Sequence, residues 1–264
     1  MNRFFKKNNA GEIVKKLTVK TIMERNLISE GDRILIAVSG GKDSSVLAWA
    51  LQEIKPALKI NYKTAALHIS TDFCACCKKG ALKQRLEEWG IPFIDLFVPV
   101  IGRLKEGKKM NCYWCSTQRR TELLKYAAEN NFNKIALGHH LDDIIETFFM
   151  NLFSKGQMLA MPVLIKYRKY PISLIRPLSL LEEKDIISCA AERNILKNTC
   201  TCPYGQNSKR RDIRKKIAGF IGNVNENSGD VKRRILKALG EGKIDYLTDS
   251  DYFASNNSNN ISKP

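Results

Sequence analysis

Residues 34–44 read Ile-Leu-Ile-Ala-Val-Ser-Gly-Gly-Lys-Asp-Ser, and this stretch decides the fold. The apolar run from Arg33 to Val38 predicts a buried parallel strand, and a helix is predicted from Ser44 to Ile54. Glycines at the turn between them let backbone N–H groups approach a phosphate, and the helix N-terminus adds a partial positive charge. The stretch therefore predicts a phosphate-binding loop.

Side chains in this loop add to what the backbone offers. Lys42 supplies a full positive charge, and Ser39 and Ser44 supply hydroxyls. Asp43 could hold Mg²⁺. The P-loop of kinases and GTPases does not match, because it needs a glycine where this chain has Ile36. The loop instead resembles the PP-loop of the N-type ATP pyrophosphatases. That resemblance implies cleavage of ATP between its α and β phosphates, whereas the alternative is a glycine-rich turn beside a surface lysine.

Strand and helix signals alternate along the rest of the chain. Further strands are predicted at 63–69, 91–98, 134–137 and 173–175, and helices at 81–89, 117–129, 141–153 and 182–193. This alternation predicts an α/β fold with a doubly wound parallel sheet, of the PP-loop or adenine nucleotide α hydrolase-like kind. An N-terminal helix and a basic helical C-terminal extension are expected to flank the sheet.

Four segments are expected on this basis. They are an N-terminal helical segment (1–30), an ATP-binding α/β domain (31–193), a cysteine-containing loop with a basic helical region (194–245), and a tail (246–264). The tail is expected to be disordered because residues 255–260, Ser-Asn-Asn-Ser-Asn-Asn, include no core-forming residue.

Charge and hydropathy narrow the class of protein. Forty-four Lys and Arg against 27 Asp and Glu give a net charge of +17, which favours a polyanionic partner such as nucleic acid. The alternative is a very soluble protein with a lysine-rich surface. The sequence has no apolar run of about 18 residues, so no membrane span is predicted. The first residues lack the apolar region of a secretory signal, and the expected location is the cytoplasm.

The three histidines are predicted to end strands. His68 falls near the end of the second predicted strand, and His139 and His140 follow the fourth. Ligands of open parallel sheets bind beyond the carboxyl ends of the strands, so these side chains are candidates for a nucleotide site. The alternative for each is a hydrogen-bonded histidine at a strand end.

A second signature follows the fourth strand, where residues 138–147 read Gly-His-His-Leu-Asp-Asp-Ile-Ile-Glu-Thr. Asp142 and Asp143 could complement the dipole of the helix that they begin. They could instead handle Mg²⁺ and pyrophosphate together with Asp43. The run resembles the second signature of PP-loop enzymes that modify tRNA.

Seven of the eight cysteines form short clusters, which in a reducing cytoplasm indicate metal ligands or redox thiols. Cys112 and Cys115 form a CxxC pair, and Cys200 and Cys202 lie far along the chain. The two clusters could hold zinc, form a redox pair, be buried thiols, or bind an iron–sulfur cluster. The third cluster comprises Cys74, Cys76 and Cys77, and only Cys189 stands alone.

The chain resembles the tRNA 2-thiocytidine synthetases, the TtcA family, over about residues 12–225. The resemblance rests on residues 112–120 and 138–147, on Ile175-Arg-Pro-Leu, and on Glu183-Lys-Asp. It implies a [4Fe-4S] cluster bound by Cys112, Cys115 and a third cysteine. We assign Cys202 as that ligand, with Cys200 as the alternative. The trio beginning at Cys74 departs from the family pattern, and no role is assigned to it.

This resemblance implies ATP-dependent tRNA thiolation. The C2 oxygen of an anticodon-loop cytidine, at position 32, is adenylated with ATP and Mg²⁺, and sulfur delivered by the cluster then replaces it. The implied catalytic residues are Lys42, Asp43, Asp142, Asp143, Cys112, Cys115 and Cys202. The implied nucleotide-binding residues are Ala37, Ser39, Gly40, Gly41, Lys42, Asp43, Ser44, His68, Gly138 and His139.

The implied partners are tRNA and a sulfur donor such as a cysteine desulfurase or free sulfide, and the family implies a homodimer. The basic region 208–240 and the loop 102–110 are expected to contact tRNA phosphates, unless they are only solvated surfaces. Three alternatives stay open from the sequence. They are a lysidine synthetase-like ligase, a 2-thiouridine synthetase, and a non-catalytic RNA-binding protein.

Overall fold

The computed structural model describes residues 9–73, 79–195, 202, 204 and 209–241, without the side chains of 209–211, 227, 228 and 241. A six-stranded sheet in the order β3-β2-β1-β4-β6-β5 forms the centre. Only β5 runs antiparallel to its neighbour within this sheet. The strands are β1 (Arg33–Ala37), β2 (Lys63–Thr71), β3 (Phe93–Val98), β4 (Lys134–Ala136), β5 (Leu164–Lys166) and β6 (Ser173–Ile175).

Helices cover both faces of the sheet. They are α1 (Ala10–Glu24), α2 (Lys42–Glu53), α3 (Lys55–Leu58), α4 (Lys79–Glu88), α5 (Cys112–Glu129), α6 (Leu141–Lys155), α7 (Glu183–Glu192), α8 (Lys209–Ser228) and α9 (Val231–Glu241). In the described part of the chain, no helix combines the length and the apolar character needed to cross a bilayer.

The apolar run of β1 is buried because the central strand has helices on both sides. Ile34 and Ile36 face the core formed with α1, α2 and α7, whereas Leu35 faces the core formed with α5. All three side chains are fully buried. A strand that is buried on both faces has no polar positions, which is why the run is continuous rather than alternating.

The doubly wound fold is confirmed, with three corrections to its elements. β2 extends to Thr71, so His68 lies inside a strand rather than at its end. The sheet is mixed, because the three-residue strand β5 was not predicted and is antiparallel. α5 begins at Cys112 rather than at Thr117, since Asn111 caps it by accepting a hydrogen bond from the Trp114 amide. The basic region forms two helices with a break at 229–230.

The helices α8 and α9 pack on α6. Ile217 and Ile221 of α8 join Leu141 and Ile145 in one apolar cluster, and Leu239 of α9 packs in a second cluster beside it. Since α6 begins beyond the carboxyl end of β4, this packing brings the basic helices to the edge of the sheet where the phosphate-binding loop lies.

Candidate active site

The loop between β1 and α2 has the geometry of a phosphate-binding turn. Gly40 adopts a left-handed conformation with φ +82°, which favours glycine. The Ser44 hydroxyl accepts a hydrogen bond from the Ser39 amide at 3.2 Å and donates one to the Gly41 carbonyl at 3.1 Å. Gly41 caps α2 without a side chain, so a ligand can accept hydrogen bonds from the first amides of this helix.

Gly138 lies against the start of α2. A Cβ added to Gly138 would lie 2.9 Å from the carbonyl carbon and oxygen of Asp43 and from the Ser44 nitrogen. Backbone atoms cannot move aside as a flexible side chain can. The second signature therefore needs a glycine at this position because the turn after β4 packs directly on the phosphate-binding helix.

A cavity of about 410 Å³ opens beside this loop. The loop, α5 and the residues after β4 all contribute to its lining. Of the residues predicted to bind nucleotide, it contains Ala37, Ser39, Asp43, Ser44, Gly138 and His139. It also contains three arginines that the sequence did not single out, Arg119, Arg120 and Arg214.

Lys42 lies outside the lining of this cavity and is held in two ion pairs. Its Nζ atom is 3.0 Å from Asp43 Oδ1 and 2.8 Å from Glu183 Oε1, the latter on the first turn of α7. Burial acts to lower the pKa of Lys42, but the hydrogen bonds and charges of the two carboxylates outweigh it and raise this pKa. Lys42 is therefore cationic. To contact a bound phosphate, its side chain must leave one of these two carboxylates.

His140 lies among three carboxylates. Its ring nitrogens are 3.5 Å from Asp142, 3.4 Å from Asp143 and 3.9 Å from Asp43. Burial acts to lower the pKa of His140, and the three carboxylates together overcome this effect and raise it. The histidine thus links the acids of the second signature to the acid of the loop.

Asp142 points away from the cavity. It accepts hydrogen bonds from the Glu183 amide at 2.7 Å and from Lys232 Nζ at 2.5 Å. Burial opposes ionisation, but bonds to His140, Lys232 and the Glu183 amide hold the pKa of Asp142 well below its usual range. Asp142 therefore fastens α6 to α7 and α9, and Asp143 alone of the two faces the cavity.

Arg214 of α8 bridges two acids of α6. Its Nη2 atom is 2.6 Å from Asp143 Oδ1, and its Nε atom is 2.8 Å from Glu146 Oε2. Burial raises the pKa of Glu146, although Arg214 acts in the opposite direction. The arginine thus neutralises the acidic wall of the cavity from a helix that lies outside the sheet.

The other two histidines are neutral; His68 is buried and His139 is half-buried. His68 donates from Nδ1 to the Val38 carbonyl at 2.8 Å and is not among the residues that line the cavity, and its contact with a nucleotide stays a prediction. His139 lines the cavity and accepts from Arg176 at 3.2 Å. Burial, with help from Arg176, lowers the pKa of His139 to about 4. His68 supports the end of β1, whereas His139 can meet a ligand.

The cysteine pair lies on the first turn of α5, next to the cavity wall. Cys112 donates from its thiol to the Tyr204 carbonyl at 3.6 Å. Burial raises the pKa of Cys115; Arg119 opposes the rise, and the charges of Cys202 and Cys112 add to it. Cys112 and Cys115 share the first turn of α5, and the contact of Cys112 brings Tyr204, two residues after Cys202, to the same turn.

None of the cysteines that the structure describes, including Cys189, forms a disulfide. Three free thiols near one another are the donor set of an iron–sulfur cluster, so the residues fit the group implied by the sequence. Cys200 and the trio Cys74, Cys76 and Cys77 lie outside the described residues.

Among the described residues, no three His, Cys, Asp or Glu side chains form a group that could hold a single metal ion. A cluster places its thiolates on different irons, so this finding does not conflict with the thiols of α5. Asp43 and Asp143 can serve Mg²⁺ only together with other ligands. Nucleotide phosphates and water ordinarily supply them for this ion.

The arginines of the cavity were missed for two different reasons. Arg119 lies four residues after Cys115 on one helix, so i,i+4 spacing could have placed it on the same face. Arg214 is 71 residues from Asp143 along the chain, and no local pattern predicts that contact.

Known proteins share the sequence features and the fold of this chain. Residues 12–219 match the model of the PP-loop domain family. A tRNA-cytidine(32) 2-sulfurtransferase of Syntrophotalea carbinolica is 32% identical over 241 residues, covering 90% of this chain and 92% of that protein. The protein of the same name from Legionella pneumophila strain Paris is 34% identical over 254 residues, covering 93% of this chain and 88% of its own length.

The fold also matches a solved structure, that of the U34-tRNA thiolase NcsA from Methanococcus maripaludis with its [4Fe-4S] cluster. The TM-score is 0.68 with 23% sequence identity, and the match covers 87% of this chain and 78% of that one. At this identity the likeness concerns the fold.

Proposed function

The chain belongs to the PP-loop domain family and, within it, to the tRNA sulfurtransferases, and from this membership we propose the full reaction. The protein uses ATP to adenylate the C2 oxygen of cytidine 32 in the anticodon loop of tRNA, and sulfur then replaces that oxygen. One observation carries the proposal. α5 carries Cys112 and Cys115 on its first turn and, one turn further along, Arg119, which lines the same cavity as Ser39 and Ser44 of the phosphate-binding loop.

In the first step the C2 oxygen forms a bond to the α-phosphorus of ATP. The bond from that phosphorus to the bridging oxygen breaks, and pyrophosphate leaves with the electron pair. The amides at the start of α2 face the phosphates, and Lys42 adds a full charge once it leaves Glu183. Fixed positive groups of this kind stabilise the charge that develops in the transition state.

Asp43 and Asp143 are the acids that face the cavity. Bound with ATP, Mg²⁺ would neutralise phosphate charge there as a Lewis acid. The role of this chain is to hold both carboxylates in place. His140 contributes by lying within 3.9 Å of Asp43 Oδ1 and 3.4 Å of Asp143 Oδ2.

In the second step sulfur bonds to C2, the C2–O bond breaks, and AMP leaves with the electron pair. The step consumes sulfide and needs no net oxidant or reductant. Bound by Cys112, Cys115 and Cys202, a [4Fe-4S] cluster would supply the sulfur at the iron that has no protein ligand. Arg119 favours the thiolate form of Cys115 through its charge and a hydrogen bond, and it lines the nucleotide cavity as well. It therefore connects the two halves of the site.

The substrate tRNA binds through exposed basic residues on α8 and on the loop before α5, the two helices that carry the arginines of the cavity. Lys105, Lys108 and Lys109 are exposed in the loop before α5, and Lys215 and Lys216 are exposed on α8. Binding to phosphate releases counterions, so affinity for tRNA should fall steeply as salt is raised.

The experiment that tests this proposal compares tRNA nucleosides by mass spectrometry from cells with and without the protein. Loss of 2-thiocytidine on deletion, with return on complementation, is the expected result. Protein reconstituted anaerobically with iron and sulfide should form 2-thiocytidine in tRNA, with one AMP and one pyrophosphate produced for each base changed.

Two other outcomes would replace the proposal. Accumulation of 2-thiouridine rather than 2-thiocytidine would move the activity to uridine. Lysine-dependent exchange of ATP and pyrophosphate on a tRNA cytidine would make the protein a ligase, and the cysteines would then have no part in the reaction.

A further inference from the structure

We propose that Arg214 is a phosphate-contacting residue, so that helix α8, which lies outside the α/β sheet, completes the ATP site. This inference rests on the proposed function in one respect, because it takes the cavity to bind ATP. Neither the PP-loop nor the second signature includes this residue.

The position of Arg214 supports this role. It is one of the residues lining the cavity, together with Ser39 and Ser44 of the phosphate-binding loop and Gly138 after β4. The guanidinium therefore faces the same space as the amides at the start of α2. The apolar packing of Ile217 and Ile221 against Leu141 and Ile145 fixes α8 in this position.

The hydrogen bonds of Arg214 leave it able to bind another anion. Its bonds to Asp143 and Glu146 use two of the five N–H donors of the guanidinium. The planar fork that matches a carboxylate also matches a phosphate. A phosphate in the cavity can therefore bind to the remaining donors without breaking the contact with α6.

Charge also favours contact between the arginine and a phosphate. Asp143 faces the cavity, where it could share a magnesium ion with ATP. A divalent ion bound there would neutralise the carboxylate that holds Nη2 of Arg214. More of the positive charge of the guanidinium would then be available to the pyrophosphate group of ATP.

Lys232 provides the comparison that separates binding from fastening. It pairs with Asp142 at 2.5 Å and Glu182 at 3.0 Å, and so fastens α9 to the same region. Unlike Arg214, it is not among the residues that line the cavity. A purely structural arginine should behave like this lysine, whereas a phosphate ligand should not.

The test measures binding of two nucleotides by calorimetry with magnesium present. The non-cleavable analogue α,β-methylene-ATP carries the β and γ phosphates, and AMP lacks them. The full-length wild-type protein is compared with Arg214→Gln, Arg214→Lys and Lys232→Gln. Thermal melting shows that each variant is folded.

Arg214→Gln is expected to weaken binding of the ATP analogue at least about tenfold, as loss of a charge-assisted hydrogen bond does, with little effect on AMP. Arg214→Lys keeps the charge and the helix contact but not the fork, so binding should recover in part. Lys232→Gln should leave the ratio of the two affinities as in the wild type.

Several results would overturn the inference. Equal loss of ATP analogue and AMP in Arg214→Gln, or the same change in ratio for Lys232→Gln, would show that Arg214 only fastens α8. Analogue binding by Arg214→Gln that equals the wild type would also exclude the contact, while leaving the proposed function intact. A wild-type protein that binds neither nucleotide would overturn both proposals.

Discussion

The nucleotide end of the site, at the cavity, and its cysteine end, at the start of α5, are built in different ways. At the nucleotide end, local backbone makes the site, since Ser39, Gly41 and Ser44 bond to one another within six residues. At the cysteine end, Cys112 and Cys115 lie on α5, and Cys202 comes from a segment about 90 residues away. The contact between Cys112 and the Tyr204 carbonyl, at 3.6 Å, joins the two segments.

The two ends differ in what holds their residues in place. The loop at the nucleotide end is held by buried strands and by a glycine that admits no side chain, so it is formed before any ligand binds. The cysteine end gathers soft thiols that a metal group would hold together, and metal binding of this kind supplies folding free energy. Changes at one end should therefore have little effect on nucleotide binding or iron content at the other. The first two experiments below test that separation, and the next two test the nucleotide end alone.

The largest effect is expected at the cysteine end. Cys115→Ser replaces a thiolate with a hydroxyl, which is a weaker ligand for iron. We expect thiolation to fall by more than about 100-fold, since loss of a residue that only hydrogen-bonds to a metal ligand already costs up to about that factor. Iron and acid-labile sulfide, measured after anaerobic reconstitution, should fall as well. Binding of the ATP analogue should stay near the wild-type value, because the phosphate-binding loop is built separately.

Cys189→Ala is the matched control, since Cys189 is also free but is fully buried in α7. It should keep both iron and thiolation. Full thiolation by a protein with Ser at 112, 115 and 202 would show that the cysteine end takes no part in the reaction.

The next largest effect is expected from Lys42→Gln. Loss of this charge should lower the rate of AMP formation by about 100-fold or more, as removal of one electrostatic stabiliser commonly does. Iron content should not change. Glu183→Gln removes one ion-pair partner of Lys42, which stays paired with Asp43, and should alter the same rate by only about threefold. A larger loss in Glu183→Gln than in Lys42→Gln would reverse the roles given to these residues.

A smaller effect is expected from Gly138→Ala. The added Cβ meets the Asp43 and Ser44 backbone at 2.9 Å, and such overpacking should cost about 1–3 kcal/mol of unfolding free energy. Affinity for the ATP analogue should fall with it, because the start of α2 must shift. Denaturant unfolding measures the first quantity and calorimetry the second.

Gly219→Ala serves as its control, because a Cβ at this position in α8 meets nothing within 4 Å. Replacing a helical glycine there should raise stability by up to about 1 kcal/mol. Equal destabilisation by the two substitutions would contradict the close packing at Gly138.

The smallest effect concerns pH. The pKa of His140 is raised in the folded protein because three carboxylates outweigh the effect of burial. The stability gained from the protonated form is therefore full below the unfolded pKa of about 6.5, and it is lost as pH rises through the higher folded value. The melting temperature of the wild type should exceed that of His140→Asn by more at pH 6 than at pH 9. A gap that widens with rising pH would contradict this assignment.

Much of the fold could be predicted because its signals are local. The strand at 173–175 was placed at its observed bounds, and the helix of the second signature begins at Leu141 as expected. β5 was not predicted because it is a short edge strand with one buried side chain, Ile165, and so shows no apolar pattern. The start of α5 was not predicted because it depends on a single side chain, the cap at Asn111. The full length of β2 was not predicted because pairing with β3 sets it.

The sequence by itself determined the phosphate-binding loop, the alternation that makes a doubly wound sheet, and the cysteines that could bind a cluster. These follow from steric and electrostatic rules that act over a few residues. Only the tertiary structure decided that Asp142 fastens helices while Asp143 faces the cavity, and that Arg214 joins the wall from 71 residues away. Contacts at such separations depend on how α6, α8 and α9 pack. Burial of their apolar faces supplies the free energy of that packing, and it is non-directional. The apolar pattern of the sequence therefore does not predict which polar side chains the packing brings together.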